Sequence, residues 1–144
     1  MEEIPYDELC RQIVQACNDA IIYSDREGII RLWNSGAEQM FGFSAGEALG
    51  QSLDIFIPEN QRARHWEGYF KVMQTGVTRY LKELLAAPAL GKDGTRLSTE
   101  FSMTIIRDST GEIAGTAAVI RDVSARWQKE KALRARLAEL EKAV

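Results

Sequence analysis

The chain holds one histidine, His65, and two cysteines, Cys10 and Cys17, the residues whose chemistry packing explains least. A neutral imidazole can ligate a metal or move a proton near neutral pH. A covalent catalyst would need a nucleophile, a base and a group that orients the base. One histidine and two cysteines on one helix do not make that set, and no phosphate loop or metal cluster is visible in the sequence, so no enzyme is expected. The cysteines are seven residues apart. Two helical turns separate their Cα atoms by about 10 Å, too far for a disulfide, so both are expected reduced, as small apolar residues. Asp25, Asn34 and Glu47 stand in marked local patterns; they read as a turn former, a strand-end hydrogen bonder and a helix cap rather than as a site.

His65 lies in the stretch ENQRARHWEGYFK, residues 59–71. Pro58 costs nothing in a first helical turn and Gly76 is suited to a left-handed C-terminal position, so one helix is expected up to about Thr75. Trp66, Tyr69, Phe70 and Met73 follow i, i+3, i+4, i+7 spacing and predict its inward face. His65 shares the edge of that face with Tyr69 and Val72, which leaves open whether it leans inward or toward water.

The elements that must carry this helix are legible along the chain. Leu9, Ile13, Ala16 and Cys17 predict a short amphipathic helix over residues 6–18. AIIYSDREGIIRLWN reads as a hairpin with its turn at Asp25 to Gly28. Short helical pieces follow, with two apparent capping boxes, Ser35 with Glu38 and Ser44 with Glu47. Asp93-Gly94 marks a second hairpin. Beyond it, Leu97, Thr99, Phe101, Met103 and Ile105 alternate with polar residues. In the last strand Gly115, Ala117 and Val119 face one way and Ala114, Thr116 and Ala118 the other, so small residues on both faces leave room for a ligand or a close-packed helix. Residues 123–144 form a charged helix with Leu133, Leu137, Leu140 and Val144 at 4-3-4 spacing, a heptad stripe that wants a partner helix.

Length and charge bound the function. A chain of 144 residues suits one domain. A net charge of −3 offers no basic excess for direct nucleic-acid binding. The apolar runs are too short for a membrane helix, and the acidic start MEEIPYDELC lacks a signal-peptide core, so a cytoplasmic chain is expected.

SDREGIIRLWNSGAEQMFGFSAGEALGQSLDIFIPE resembles the opening half of a PAS domain, and KDGT with IRDVSARWQKEKAL is similar to its closing half. The likeness covers about residues 8 to 144. It implies an α+β fold: a five-stranded antiparallel sheet with short helices over one face, enclosing a pocket. The N-terminal helix would occupy residues 1–19, the PAS core 20–122 and a signalling helix 123–144.

The resemblance further implies a bacterial-type sensor and dimerisation module that relays ligand or partner binding to a downstream effector protein or domain. Arg121 and Asp122, at the strand-to-helix junction, are the expected relay; Leu133, Leu137, Leu140 and Val144 are the expected dimer stripe. A small molecule or gas could fill a pocket lined by His65, Tyr69, Met103, Ala117 and Val119. FMN photochemistry is not expected, because the stretch IPENQRARH lacks the cysteine of the flavin-binding branch. The oxygen-sensing branch holds heme b through a histidine shortly after Pro-Glu, and His65 follows Pro58-Glu59 in that manner. Here Trp66 and Glu67 intervene before Gly68-Tyr69, and the distal arginine position falls near Lys82 or Leu85. A ligand-free interaction scaffold is the remaining alternative.

Overall fold

The computed structural model describes residues 2–78 and 83–143. Lys82 and Val144, named above, lie outside the described residues.

Sequence alternation becomes an antiparallel sheet of β1 (Ala20–Asp25), β2 (Ile30–Trp33), β3 (Leu85–Leu90), β4 (Arg96–Arg107) and β5 (Ile113–Asp122), in spatial order β2-β1-β5-β4-β3. The β1–β2 turn is built by Asp25, whose carbonyl accepts from Gly28 N–H at 2.9 Å and whose Oδ1 accepts from the amides of Glu27 and Ile29. Register assigns the faces. Ala20, Ile22 and Ser24 lie opposite Ile120, Ala118 and Thr116, and Phe101, Met103 and Ile105 of β4 continue that row across the sheet.

Over this row lie α2 (Ser35–Phe41), α3 (Ala45–Ala48), a 3₁₀ turn (Leu53–Phe56) and α4 (Glu59–Thr75). An aromatic cluster holds the first of these down: Phe41 stacks on Phe56 at 4.8 Å between centroids, and Trp33 packs against Phe41 at 5.6 Å. Trp33 also donates its indole N–H to the Phe43 carbonyl at 2.9 Å, so its one polar atom is satisfied where the ring is buried.

The helix starts differ in one respect from the sequence expectation. Ser44 and Glu47 form the reciprocal capping box at α3, and Lys92 of the β3–β4 hairpin pairs with Glu47, holding its carboxyl down at about 2. At α2 the cap is Asn34 rather than Ser35. Asn34 is the last extended residue, Ser35 is already helical, and Glu38 accepts instead from the Ala45 amide at 2.8 Å.

Asn34 also binds the N-terminal helix α1 (Tyr6–Ala16). Its Oδ1 accepts from Ile21 N–H at 2.8 Å and Ala37 N–H at 2.9 Å. Its Nδ2 faces three carbonyls, those of Val14 (2.8 Å), Asp19 (3.0 Å) and Cys17 (3.3 Å). Gly36 completes the seat, since a Cβ there would stand 2.2 Å from the Asp19 carbonyl oxygen. Outside this attachment α1 buries no residue, and Leu9 and Ile13 are exposed. The chain's last helix, α5 (Ser124–Lys142), likewise buries none.

Asn34→Ala removes a cap and leaves buried and part-buried backbone donors and acceptors without their partner, so a loss of about 3–5 kcal/mol is expected in urea unfolding. Asn34→Asp keeps the acceptor but sets a carboxylate against three carbonyls. Its folded-state pKa lies above the unfolded value, so it is destabilising at neutral pH and recovers stability as pH falls. Equal stability of wild type and Asn34→Ala would contradict this role.

Candidate functional site

Helix α4 runs from Glu59 to Thr75 and is closed by Gly76 at φ 66°, the bounds that Pro58 and Gly76 suggest in the sequence. Its inward residues are Tyr69 and Met73, both buried, with Trp66 and Val72 packed partly against the core. Phe70, expected on this face, is 46% exposed. One helical step of about 100° carries it past Tyr69 and out of the interface; it stacks instead on Trp66, at 5.4 Å between centroids.

Polar contacts at Tyr69, Trp66 and Met73 help to fasten α4 to the rest of the domain. The Tyr69 hydroxyl bonds Ser24 Oγ at 2.9 Å, donates to the Asp25 carbonyl and interacts with Thr116; burial pushes its pKa upward. Trp66 donates its indole N–H to Asp54 Oδ1 at 2.8 Å. The same ring lies so close over Gly28 that a Cβ there would stand 2.2 Å from it, and Gly28 also has φ +78°; both conditions demand glycine. Arg26 donates to the Ile113 carbonyl at 2.7 Å and the Met73 carbonyl at 3.3 Å, tying the end of α4 to the start of β5.

His65 turns inward at the rim of this assembly. Its ring meets Trp66 edge-on at 4.7 Å and Tyr69 at 5.7 Å, and its Nδ1 is buried without a hydrogen-bond partner. Burial lowers its pKa from the ordinary histidine value, against a weaker opposing pull from the Asp54 carboxylate.

The pocket residues read from the sequence are only partly brought together. His65 and Tyr69 lie side by side on α4, and Met103 lies on the helix-covered face of the sheet by its register with Ala118. Ala117 and Val119 do not join them: they pair with Tyr23 and Ile21 on the opposite face, where Val119 is 41% exposed. Sequence reasoning missed Ser24, Asp54 and Arg26, whose partners lie 45, 12 and 87 residues away along the chain.

These residues do not fit heme as they are packed. An iron-bound imidazole ordinarily donates its other ring N–H to an acceptor, and Nδ1 has none. The slot between α4 and the sheet, where a porphyrin would lie, is crossed by Tyr69 and closed at its edge by Trp66 on Gly28. Grooves of about 340 and 610 Å³ lie elsewhere, the first between β3, β4 and α5 and the second between α2 and the β3–β4 hairpin. Among the described residues no group of three His, Cys, Asp or Glu side chains stands where it could hold a metal ion, and no helix is long and apolar enough to cross a membrane.

The strand-to-helix junction is the second place of interest. Asp122 Oδ1 accepts from Ser124 N–H at 2.9 Å, Ser98 donates its amide to Ser124 Oγ at 2.9 Å, and the Ser98 carbonyl accepts from Val123 N–H at 2.8 Å. Arg126 in the first turn pairs with Glu100 of β4. Arg121 forms a two-pronged pair with Asp19, at 2.9 and 3.2 Å. Beyond these contacts Leu133, Leu137 and Leu140 are 61, 57 and 52% exposed.

The direction of the His65 shift sets a pH dependence. In the unfolded chain His65 takes up a proton near pH 6.5, whereas the folded protein resists it. Stability is therefore full above the unfolded value and falls as pH drops through the interval down to the folded one. Since His65 is the only histidine, the thermal midpoint of wild type between pH 7.5 and 5.5 is expected to fall more steeply than that of His65→Gln. Parallel curves would contradict a buried neutral imidazole.

Comparison with known proteins agrees with this architecture. A family model described as PAS fold matches residues 8–123. The sensor protein FixL of Bradyrhizobium diazoefficiens is 46% identical over 55 residues, covering 38% of this chain and 11% of that protein. An uncharacterized protein of Azorhizobium caulinodans is 30% identical over 124 residues, 85% of this chain and 17% of its own length. The chain thus spans under a fifth of either relative. The PAS domain of a Colwellia psychrerythraea protein superposes with a TM-score of 0.73 at 21% identity, covering 84% of this chain and 99% of that one. The turn at Asp25, the Asn34 cap, the five antiparallel strands and the helix that leaves β5 thus have one common explanation: this chain belongs to the PAS family.

Proposed function

We propose that this chain is a cytoplasmic, non-catalytic PAS module of a signalling protein, which dimerises and passes a signal to a downstream effector through α5. The observation that carries this reading is the leucine stripe: Leu133, Leu137 and Leu140 are exposed on a helix in which no described residue is buried. A short isolated helix with such a stripe gains stability only by pairing. The outer face of the sheet, with Val119 and Tyr23, and the apolar residues Leu9 and Ile13 of α1 offer further surface to the same second copy. The signal would be a change between two packings of sheet and flanking helices that alters the rotation of α5. Leu137→Asp places a charge in the stripe and is expected to weaken the dimer at least about tenfold in sedimentation; an unchanged association constant would count against the helix as the dimer seam.

The packed space between α4 and the sheet favours partner binding over a ligand as the input, the interaction-scaffold form of this reading. A heme-based gas or redox sensor with His65 as axial ligand is the second reading. One observation favours it, the place of His65 on α4 after Pro58-Glu59 with its ring turned inward beside Tyr69. Tyr69 bonded to Ser24 opposes it. Addition of hemin to the purified protein is expected to give no Soret band beyond that of His65→Ala; a band that depends on His65 would establish the heme reading instead.

A further inference from the structure

Arg121 stands between two carboxylates. Asp19, in the linker from α1 to β1, holds it in the two-pronged pair described above. Its cross-strand partner on β4 is Glu100, and side chains directly opposite in an antiparallel pair share a face at close range. Arg126 is placed in the same manner: it pairs with Glu100 and lies 3.7 Å from Glu130, one turn further along α5. Asp19, Arg121, Glu100, Arg126 and Glu130 therefore form a row of alternating charge. It starts where Asn34 and Gly36 clamp the α1 linker and reaches the turn of α5 before Leu133, where Glu130 also lies 3.8 Å from Arg134.

We infer that this row is a partner-exchange relay linking the position of α1 to the hold of the sheet on α5. In the arrangement seen, Asp19 occupies Arg121, which leaves Glu100 to Arg126 and keeps the first turn of α5 on β4. When a change at α1 draws the Asp19 carboxylate away, its backbone carbonyl still on Asn34, Arg121 loses Asp19 and turns to Glu100. Arg126 then keeps only Glu130, a partner on its own helix, and the first turn of α5 loses its ion pair to the sheet while the Ser98 contacts at Val123 and Ser124 remain. All five side chains are at least partly exposed, where single ion pairs contribute little. The exchange is therefore reversible with small inputs, which suits a signalling element. This relay rests on the reading of α5 as the output, but it operates within one chain.

The test is amide hydrogen exchange over residues 125–131 of the full chain. Asp19→Asn, which keeps the backbone carbonyl bonded to Asn34, is expected to speed exchange there by about two- to fivefold, the scale of one exposed ion pair. Glu100→Gln should do the same, and adding Asp19→Asn to it should bring no further change. Arg121→Gln removes the competitor, so Asp19→Asn should have no effect in that background. Unchanged exchange in folded Asp19→Asn, or effects of Asp19→Asn and Glu100→Gln that multiply, would overturn the relay. Sedimentation of the same samples as monomers would reject the dimer reading alone, because the exchange pattern is read equally in a monomer.

Discussion

Asn34 spends both ends of its carboxamide on backbone groups of the elements around it. The oxygen serves the first amides of β1 and α2, and the nitrogen serves the last carbonyls of α1 and of the linker that follows it. Because the side chain is fully buried, its removal would leave one buried and several part-buried backbone groups without their partner, and an unpaired group that water cannot reach costs about 1–3 kcal/mol. Three elements consequently meet at fixed angles around one amide. The turn into α2, the start of the sheet and the point where α1 departs cannot move independently while it is intact.

From that point the molecule divides into a tightly determined interior and two lightly held helices. The interior is fixed by side chains that join α4 to the sheet and its first turn: Tyr69 to Asp25, Arg26 to Ile113 and Met73, Trp66 over Gly28. Such contacts are specific in distance, and they leave α4 little freedom to swing away without several breaking together. Each flanking helix is anchored at one end only, among the described residues. α1 is held at its C-terminal turn and α5 at its first turn, and both attachments pass close to Asp19 and Arg121 on the outer side of the sheet. In this arrangement the part of the fold able to change state is the periphery, with the packed interior as its frame.

How far this could be read from the sequence depended on whether each signal was local. Alternation in β4 and the hairpin at Asp93-Gly94 act over a few residues, and so do the roles of Asp25 and Glu47; these were legible. The α2 cap was not, because Asn34 and Ser35 are both good capping residues and only the backbone at 34 decides between them. Phe70 sits one residue from the true inward face, a difference that i, i+3, i+4 spacing tolerates. In β5 both faces carry small side chains, so the alternation had no sign, and Ala117 and Val119 could be placed only once pairing with β1 was known. Asp19 with Arg121 joins residues 102 apart in the chain, and no spacing rule reaches that far.

If Asn34 is the fixed point of the fold, the amides it accepts from must be as well protected as the centre of the sheet. Residue-resolved hydrogen exchange on the wild-type chain measures this directly. The account predicts that Ile21 and Ala37 exchange only through global unfolding, with the same free energy as the amides of β5 around Ala118. Exchange of Ile21 and Ala37 by local opening, orders of magnitude faster than Ala118, would contradict it and return the burden of the fold to the hydrophobic core alone.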